Sequence, residues 1–483
     1  MLAGDDAVGI MPTGAGKSLT YQIPARILPG VALVLSPLVS LMKDQVDALD
    51  ELSLRGTFIN SSLCPAERRA RVCRVRAGEL DLVYATPEGL QGWLNNALRQ
   101  TRLSLIAVDE AHCISQWGHD FRPSYRNLAR LKQTFGGIPV LALTATATAQ
   151  VAEDIIEQLG MQRPVVYRGS FFRPNLRLQV QAKGGRRTSE VELPLARESL
   201  ERLVTARTEH SGIVYCLSRK STESTADWLY RRGHAARAYH AGMPPAQRAR
   251  VQEAFRYNDI KVVVATIAFG MGIDKPDVRY VIHRDLPRCI ENYYQEIGRA
   301  GRDGRPSDCV LLYSWSEVVA YDQFAARAPR EAAVRIRAQA REMYRFASGP
   351  GCRHQRLAAH FGEQIPACRN RCDCCTGAGR SLSAACGAGS EEPAGSAPVL
   401  TTRGSPQGEL LARLKTLRRQ LASAYGVPPY TIFNDATLYE IVVRPPASES
   451  ELLQIPGLGR KKLERYGKPL LQLLGRKLDR PHR

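Results

Sequence analysis

Three groups of residues in this sequence have types and spacings that can do chemistry. The first is Met11-Pro-Thr-Gly-Ala-Gly-Lys-Ser18, which follows a short apolar segment and precedes a helix-like stretch. Gly14 and Gly16 let backbone N–H groups approach phosphate oxygens, Lys17 offers a point charge to β- and γ-phosphates, and Ser18 offers a hydroxyl to Mg2+. Thr13, Gly14, Ala15, Gly16, Lys17 and Ser18 are therefore the candidate nucleotide loop, with Pro12-Thr13-Gly14 in place of the usual first glycine. The second group, Leu105-Ile-Ala-Val-Asp-Glu-Ala-His112, ends an apolar run with two adjacent acids. A carboxylate at the C-terminal end of a buried strand sits where open α/β sheets bind ligands. Asp109 can hold the magnesium through water, and Glu110 can orient or deprotonate the attacking water of a phosphoryl transfer. A Gly-Lys-Ser match alone is also an ordinary turn, and an acid pair alone an ordinary helix cap. Their occurrence together points to nucleotide hydrolysis.

The third group is a thiol cluster. Five of the twelve cysteines fall between Cys352 and Cys375, as Cys352-x15-Cys368-x3-Cys372-Asp-Cys374-Cys375. Four thiolates at this spacing indicate a structural zinc, with an iron–sulfur cluster as the alternative. The other seven cysteines read as scattered core thiols.

These groups need a scaffold. Val31–Ser36, Leu82–Ala85, Leu105–Val108 and Val140–Leu143 are apolar runs of strand length, each followed by polar sequence of helix length. That alternation predicts a parallel sheet with helices on both faces. The pattern restarts with Gly212–Cys216, Lys261–Ala265 and Val278–Ile282, so two α/β domains follow one another, joined around residues 166–210. Lys183-Gly-Gly-Arg-Arg187 reads as a surface loop. Residues 317–350 look helical and basic. Residues 376–407 are mostly Gly, Ala, Ser, Pro and Thr and read as a flexible linker. The tail is helical in pattern, with 14 Lys/Arg against 7 Asp/Glu over residues 408–483.

The 483 residues allow roughly three domains of ~150 residues. Sixty-seven basic against 47 acidic residues give a formal charge of +20, which argues for a polyanionic partner, nucleic acid or an anionic membrane surface. The composition excludes collagen-like, disordered and disulfide-scaffold classes. The most apolar run, Val31 to Met42, is too short to span a bilayer, and the first residues lack the basic start of a signal peptide, so the expected compartment is the cytoplasm.

Asp109-Glu-Ala-His-Cys-Ile-Ser-Gln-Trp-Gly-His-Asp-Phe-Arg-Pro-Ser-Tyr125 resembles the RecQ branch of superfamily 2 helicases. The Asp-Glu-Ala-His core is common to the superfamily, while the aromatic loop after it is specific to RecQ. The resemblance continues through Ser36–Gln45, Tyr84–Glu88 and Leu143–Ala147 in the first lobe. In the second it runs through Ile213–Cys216, Tyr239–Met243, Ala265–Lys275 and Tyr294–Gly304. It implies two tandem RecA-like parallel-sheet lobes, a small zinc module and a small all-α domain similar to the one RecQ helicases share with RNase D (HRDC-like). The expected boundaries are 1–168, 169–345, 346–376, a linker at 377–407, and 408–476.

Further site residues come with the resemblance. Gln295, Arg299 and Arg302 are spaced i, i+4 and i+7, so they can share one helix face, and two guanidiniums brought across a cleft can stabilise charge on a γ-phosphate. The family implies the arginine-finger role, most strongly for Arg302. It also implies that Trp117, His119 and Phe121 stack single-stranded bases, with Arg122 as a phosphate or stacking contact; spacing alone equally allows core aromatics. RecQ proteins carry a four-Cys zinc module whose closing pattern matches Cys372 and Cys375. The family spacing between the second and third cysteines is one residue shorter than Cys368 to Cys372, which leaves Cys374 as a rival ligand beside Cys352 and Cys368. Leu453–Gly467 resembles the HRDC turn, with Lys461 and Lys462 placed to meet a DNA backbone.

Two family features are missing from the sequence. No winged-helix domain lies between the zinc module and the tail, and no segment before Met11 resembles the one that reads adenine through a Gln. Asp5 and Asp6 read there as a solvated turn, and the favoured explanation is a start further upstream. The expected function is that of a 3′-to-5′ DNA helicase in recombination and repair. It would use ATP, Mg2+ and Zn2+ and act on single-stranded and on tailed or branched duplex DNA, with single-strand-binding or repair proteins as partners and none in the membrane. The competing readings are a truncated DNA-binding protein and an RNA helicase.

Overall fold

The computed structural model describes residues 1–37, 39–49, 52–90, 93–118, 120–183, 196–270, 275–377, 406–427 and 429–475. Its first lobe is a seven-stranded sheet built from β1 (Ala7–Ile10), β2 (Val31–Leu35), β3 (Gly56–Ile59), β4 (Leu82–Ala85), β5 (Leu103–Val108), β6 (Val140–Thr144) and β7 (Val165–Arg168). The order is β3-β4-β2-β5-β6-β1-β7 and every pairing is parallel. The C-terminal ends of β1 and β5 therefore open on the same edge of the sheet, one strand apart, which is what brings Lys17 and Asp109 into one site. β2, β4 and β5 are buried along their whole length, as expected of strands covered by helices on both faces. β7 is an exposed edge strand with no apolar run of the buried type, and it has no counterpart among the sequence-predicted strands.

The second lobe repeats the plan with six strands: β8 (Leu176–Ala182), β9 (Ser211–Tyr215), β10 (Ala236–Tyr239), β11 (Val262–Ala265), β12 (Val278–His283) and β13 (Ser307–Tyr313). Their order is β10-β11-β9-β12-β13-β8, again all parallel. A helical pair, Trp315–Ala325 and Arg330–Ser348, leads to the cysteine-rich module with the helix Arg353–His360. The tail folds around its own core of Leu410, Leu414, Phe433, Leu438, Leu452 and Leu470. Among the described residues no helix is long and apolar enough to cross a membrane.

Four expectations need correction. Lys183 is not in a free loop: its ammonium donates to Arg284 O (2.6 Å) and Asp285 Oδ1 (3.1 Å) and pairs with Glu317, while 184–187 lie outside the described residues. Asp6 is not solvated; it is 6% exposed, and its carboxylate accepts from Lys132 Nζ at 2.7 Å and Val140 N at 2.9 Å. Cys64 and Cys73 are exposed rather than core thiols, because the helix Pro65–Arg76 buries only Val72 and Val75. The fourth concerns the helix Ile290–Ile297, which stops before Arg299. Gly298 caps it, and Gly301 takes φ +57° in the following turn, where a Cβ would stand 2.5 Å from Asn175 Nδ2 and 2.7 Å from Arg305 O. Gln295, Arg299 and Arg302 therefore do not share one helix face.

Candidate nucleotide cleft, aromatic loop and zinc module

The phosphate loop leaves β1 with Met11 N donating to Thr144 O (2.9 Å), so the loop is tied to the end of β6. Gly14 (φ +82°) and Gly16 (φ +81°) adopt the left-handed conformation that a Cβ would disfavour. Lys17 Nζ donates to Met11 O at 3.3 Å. Burial lowers the pKa of its ammonium, while the nearby Glu110 and Asp109 carboxylates act in the opposite sense.

Asp109 follows β5, anchored by its N–H to Leu35 O (2.8 Å) and by the Tyr125 hydroxyl, which donates to Asp109 O (2.9 Å). Burial, then the neighbouring Glu110 charge, push the Asp109 carboxyl up to about 7, against the pull of Lys17. A carboxylate so disfavoured gains most from a cation, so the Asp109 carboxyl fits a divalent ion. Glu110 adopts φ +48° and its N–H donates to Asp109 Oδ1 (3.0 Å). Its Oε2 lies 3.4 Å from His112 Nδ1, which in turn lies 2.9 Å from Thr144 Oγ1. Burial lowers the His112 pKa to about 4, so the imidazole is neutral near pH 7 and orients rather than charges this network.

The second lobe closes the cleft. The Thr13 hydroxyl donates to Gly298 O at 3.0 Å, and a Cβ on Gly14 would lie 3.4 Å from Arg302 Cγ, so the Arg302 stem runs along the phosphate loop. Arg299 is 3% exposed, with its pKa lowered by burial. With Gln295 it lines a cavity of about 430 Å³ whose walls also include Asp120 of the first lobe. Arg302 thus lies along the phosphate loop and Arg299 is near enough for its charge to act on Lys17, while Gln295 lines the adjoining cavity.

The aromatic loop begins directly after His112. Trp117 is 60% exposed, available for stacking and not a core residue. Phe121 is half-buried under the Arg126 guanidinium, 5.5 Å from its ring centroid. Arg122 donates to Asp120 Oδ2 (3.0 and 3.2 Å) and to Pro37 O (3.4 Å), bracing the loop against the end of β2. His119 lies outside the described residues. In the tail, Gly457 (φ +91°) makes the turn before the helix Arg460–Gly475, and Lys461 Nζ donates to Ser53 Oγ at 2.7 Å.

Cys352, Cys368, Cys372 and Cys375 bring their sulfurs within 4.8 Å of one another, and Cys374 is not in that set. A tetrahedral Zn–S₄ site with ~2.3 Å bonds has S–S edges of about 3.8 Å, so the four thiols fit zinc with little adjustment. Beside them Asp373 forms a buried bidentate pair with Arg353 (3.0 and 3.1 Å), and Arg353 also donates to the carbonyls of Phe346, Ala347 and Gly349. This locks the module to the preceding long helix. Breaking such a pair from one side costs about 3–5 kcal/mol. Sequence reading missed Arg173, Glu363 and His360, whose contacts join the lobes and the module; an Arg in a linker and lone polar residues on helix ends carry no signal in a single sequence.

Comparison with known proteins agrees with this geometry. Four family models match in chain order: DEAD/DEAH box helicase over residues 1–155, helicase conserved C-terminal domain over 196–304, RecQ zinc-binding over 315–376, and HRDC domain over 407–474. The chain is 36% identical, over 578 residues, to the ATP-dependent DNA helicase RecQ of Haemophilus influenzae, covering 98% of this chain and 91% of that one. It is 34% identical to the ATP-dependent DNA helicase RecQ of Bacillus subtilis, covering 96% and 92%. Among solved structures, the helicase Lhr of Mycobacterium smegmatis bound to ssDNA and AMP-PNP matches 67% of this chain and 46% of that one, with 26% identity and a TM-score of 0.52. Two parallel-sheet lobes, a four-cysteine zinc-binding module and a helical tail, with relatives at this identity over nearly the whole length, place this chain in the RecQ family of ATP-dependent DNA helicases.

Proposed function

We propose that this chain moves 3′ to 5′ along single-stranded DNA and unwinds tailed or branched duplexes, in recombination and repair on the bacterial chromosome. ATP would lie with its phosphates on Thr13–Ser18, and Ser18 and Asp109 would hold its magnesium. Glu110 orients the attacking water, and Arg302, with Arg299, neutralises charge developing on the γ-phosphate. Trp117, His119 and Phe121 stack bases and pass their occupancy to Glu110 through His112, while Arg122, Lys461 and Lys462 meet the DNA backbone. Cys352, Cys368, Cys372 and Cys375 hold the zinc.

The observation that supports the reading most is the contact of both lobes across the phosphate loop, Thr13 with Gly298 and Gly14 with Arg302. A nucleotide held there is bounded by both lobes, so its hydrolysis is coupled to their separation. The test is ATP hydrolysis with single-stranded DNA or RNA, in the wild type and in Arg302→Ala. Stimulation by DNA but not RNA is expected, with a loss of roughly 10³-fold in Arg302→Ala, the lower end for an arginine finger. Equal stimulation by RNA, or full activity in Arg302→Ala, contradicts the reading.

A further inference from the structure

The chain crosses between the sheets between β7, which ends at Arg168, and β8, which begins at Leu176. The first half of this crossing is gripped by the zinc module. Glu363 accepts from the Ser170 hydroxyl and from Phe171 N–H, both at 2.6 Å. The Phe171 ring stacks on Phe361 with centroids 4.3 Å apart and planes 5° from parallel. Tyr294, next to Gln295, donates its hydroxyl to Phe171 O at 3.2 Å.

Two residues further on, Arg173 reaches both sides of the cleft. Its Nη1 donates to Thr13 O, in the phosphate loop, at 3.0 Å. Its Nη2 donates to Gly301 O at 3.0 Å and to Ala300 O at 3.3 Å, the two residues between Arg299 and Arg302. Asn175 Nδ2 reinforces the same turn, donating to Gly301 O (2.8 Å) and Arg305 O (3.1 Å). One planar guanidinium with donors in a fixed fork thus spans from the loop that holds phosphates to the turn that carries both arginines.

We propose that Arg173 is a positioning residue for ATP hydrolysis: it sets the distance of the Arg299–Arg302 turn from the phosphate loop, from a crossing segment that the zinc module holds through Glu363. Arg173 needs no contact with the nucleotide to act. It bonds backbone carbonyls on each side, and a displacement of about 1 Å at a reacting centre costs on the order of 10²-fold in rate. The inference rests on the reading of Arg302 as the partner of the γ-phosphate.

The experiment uses the full chain with Arg173→Gln, the milder Arg173→Lys, and Arg302→Ala alongside. The readouts are DNA-stimulated kcat, KM for ATP, and affinities for ADP alone and for ADP with aluminium fluoride. Zinc content and melting temperature report folding. For Arg173→Gln the expected result is kcat lower by roughly 10- to 100-fold, an equal loss of aluminium fluoride affinity, and KM and ADP affinity within about threefold of wild type. Arg173→Lys, which keeps the charge but not the fork, shows the same pattern more weakly. Should Arg173→Gln fail to fold, that pattern in Arg173→Lys decides. Wild-type kcat in a folded variant, or a loss shared equally by ADP alone, overturns the proposal. A wild-type kcat in Arg302→Ala instead removes the reading on which it rests.

Discussion

The Thr13 hydroxyl and the Gly298 carbonyl meet at 3.0 Å, although 285 residues separate them in the chain. Thr13 opens the phosphate loop and Gly298 ends the helix before the arginine-bearing turn, so the bond joins the two halves of the candidate nucleotide site.

In the proposed function Lys17 and Glu110 divide the work on the ATP phosphates. Lys17→Ala removes the charge and weakens ATP binding together with hydrolysis. Glu110→Gln leaves a side chain of the same size that cannot take a proton. The expected loss is about 10²- to 10⁴-fold in phosphate release, with ATP binding retained, as for removal of a general base. Rapid-quench kinetics and nucleotide-binding titrations check this; wild-type hydrolysis by Glu110→Gln contradicts the assigned role.

The zinc module gives a stoichiometric prediction. Metal analysis of purified protein is expected to find about one zinc per chain. Cys372→Ser is expected to lower both zinc content and thermal stability, because the metal contributes folding free energy. Cys374→Ser is expected to keep both, since Cys374 lies outside the four-sulfur group. Equal zinc loss in the two variants counts against the assigned ligands.

His360 joins the module to the second lobe, with Nε2 3.0 Å from Glu291 Oε1 and Nδ1 3.0 Å from Glu342 Oε1. Burial alone would lower its pKa, but Glu291 and Glu342 raise it to about 9. An unfolded histidine titrates near 6.5. The stabilisation is therefore complete below about pH 6.5 and disappears as pH rises through about 9. It is worth about 2–3 kcal/mol at most, since Glu342 is half-exposed. The stability difference between wild type and His360→Gln, from denaturant melts at pH 6 to 10, is expected to shrink over that interval. A difference independent of pH contradicts the ion-pair account.

Only 30 residues, 377–406, separate the zinc-binding match from the HRDC match. That is below the ~40 residues at which a domain usually folds unaided, and we propose that no winged helix stands between the two matches. ATPase activity strongly stimulated by single strands, together with modest unwinding of long duplexes, is the expected combination. Duplexes of increasing length measured at fixed ATPase rate check it, and processive unwinding by this chain means that another element splits the strands.

How much of this was legible in the sequence depends on whether a residue's role is local. Gly14, Gly16 and Lys17 declare themselves because the backbone of a phosphate loop dictates their types. β2, β4 and β5 are readable because strands buried on both faces must be continuously apolar. β7 fails that test, being exposed at the sheet edge, and Lys183 looked like loop sequence because its three partners, Arg284, Asp285 and Glu317, lie more than a hundred residues downstream. The i, i+4, i+7 spacing of Gln295, Arg299 and Arg302 takes no account of Gly298 and Gly301, which end the helix. Arg173 was out of reach, since its partners at Thr13 and Gly301 are backbone carbonyls, which leave no trace in residue type.

The proposed function makes this chain a motor that runs on single-stranded DNA in one direction. Its most direct test is unwinding of two duplexes with identical paired regions, one with a 3′ single-stranded tail and one with a 5′ tail, with and without ATP and Mg2+. The expected result is ATP-dependent strand release from the 3′-tailed duplex, little from the 5′-tailed one, and none in Glu110→Gln. Equal release from both, preference for the 5′ tail, or release without ATP contradicts it.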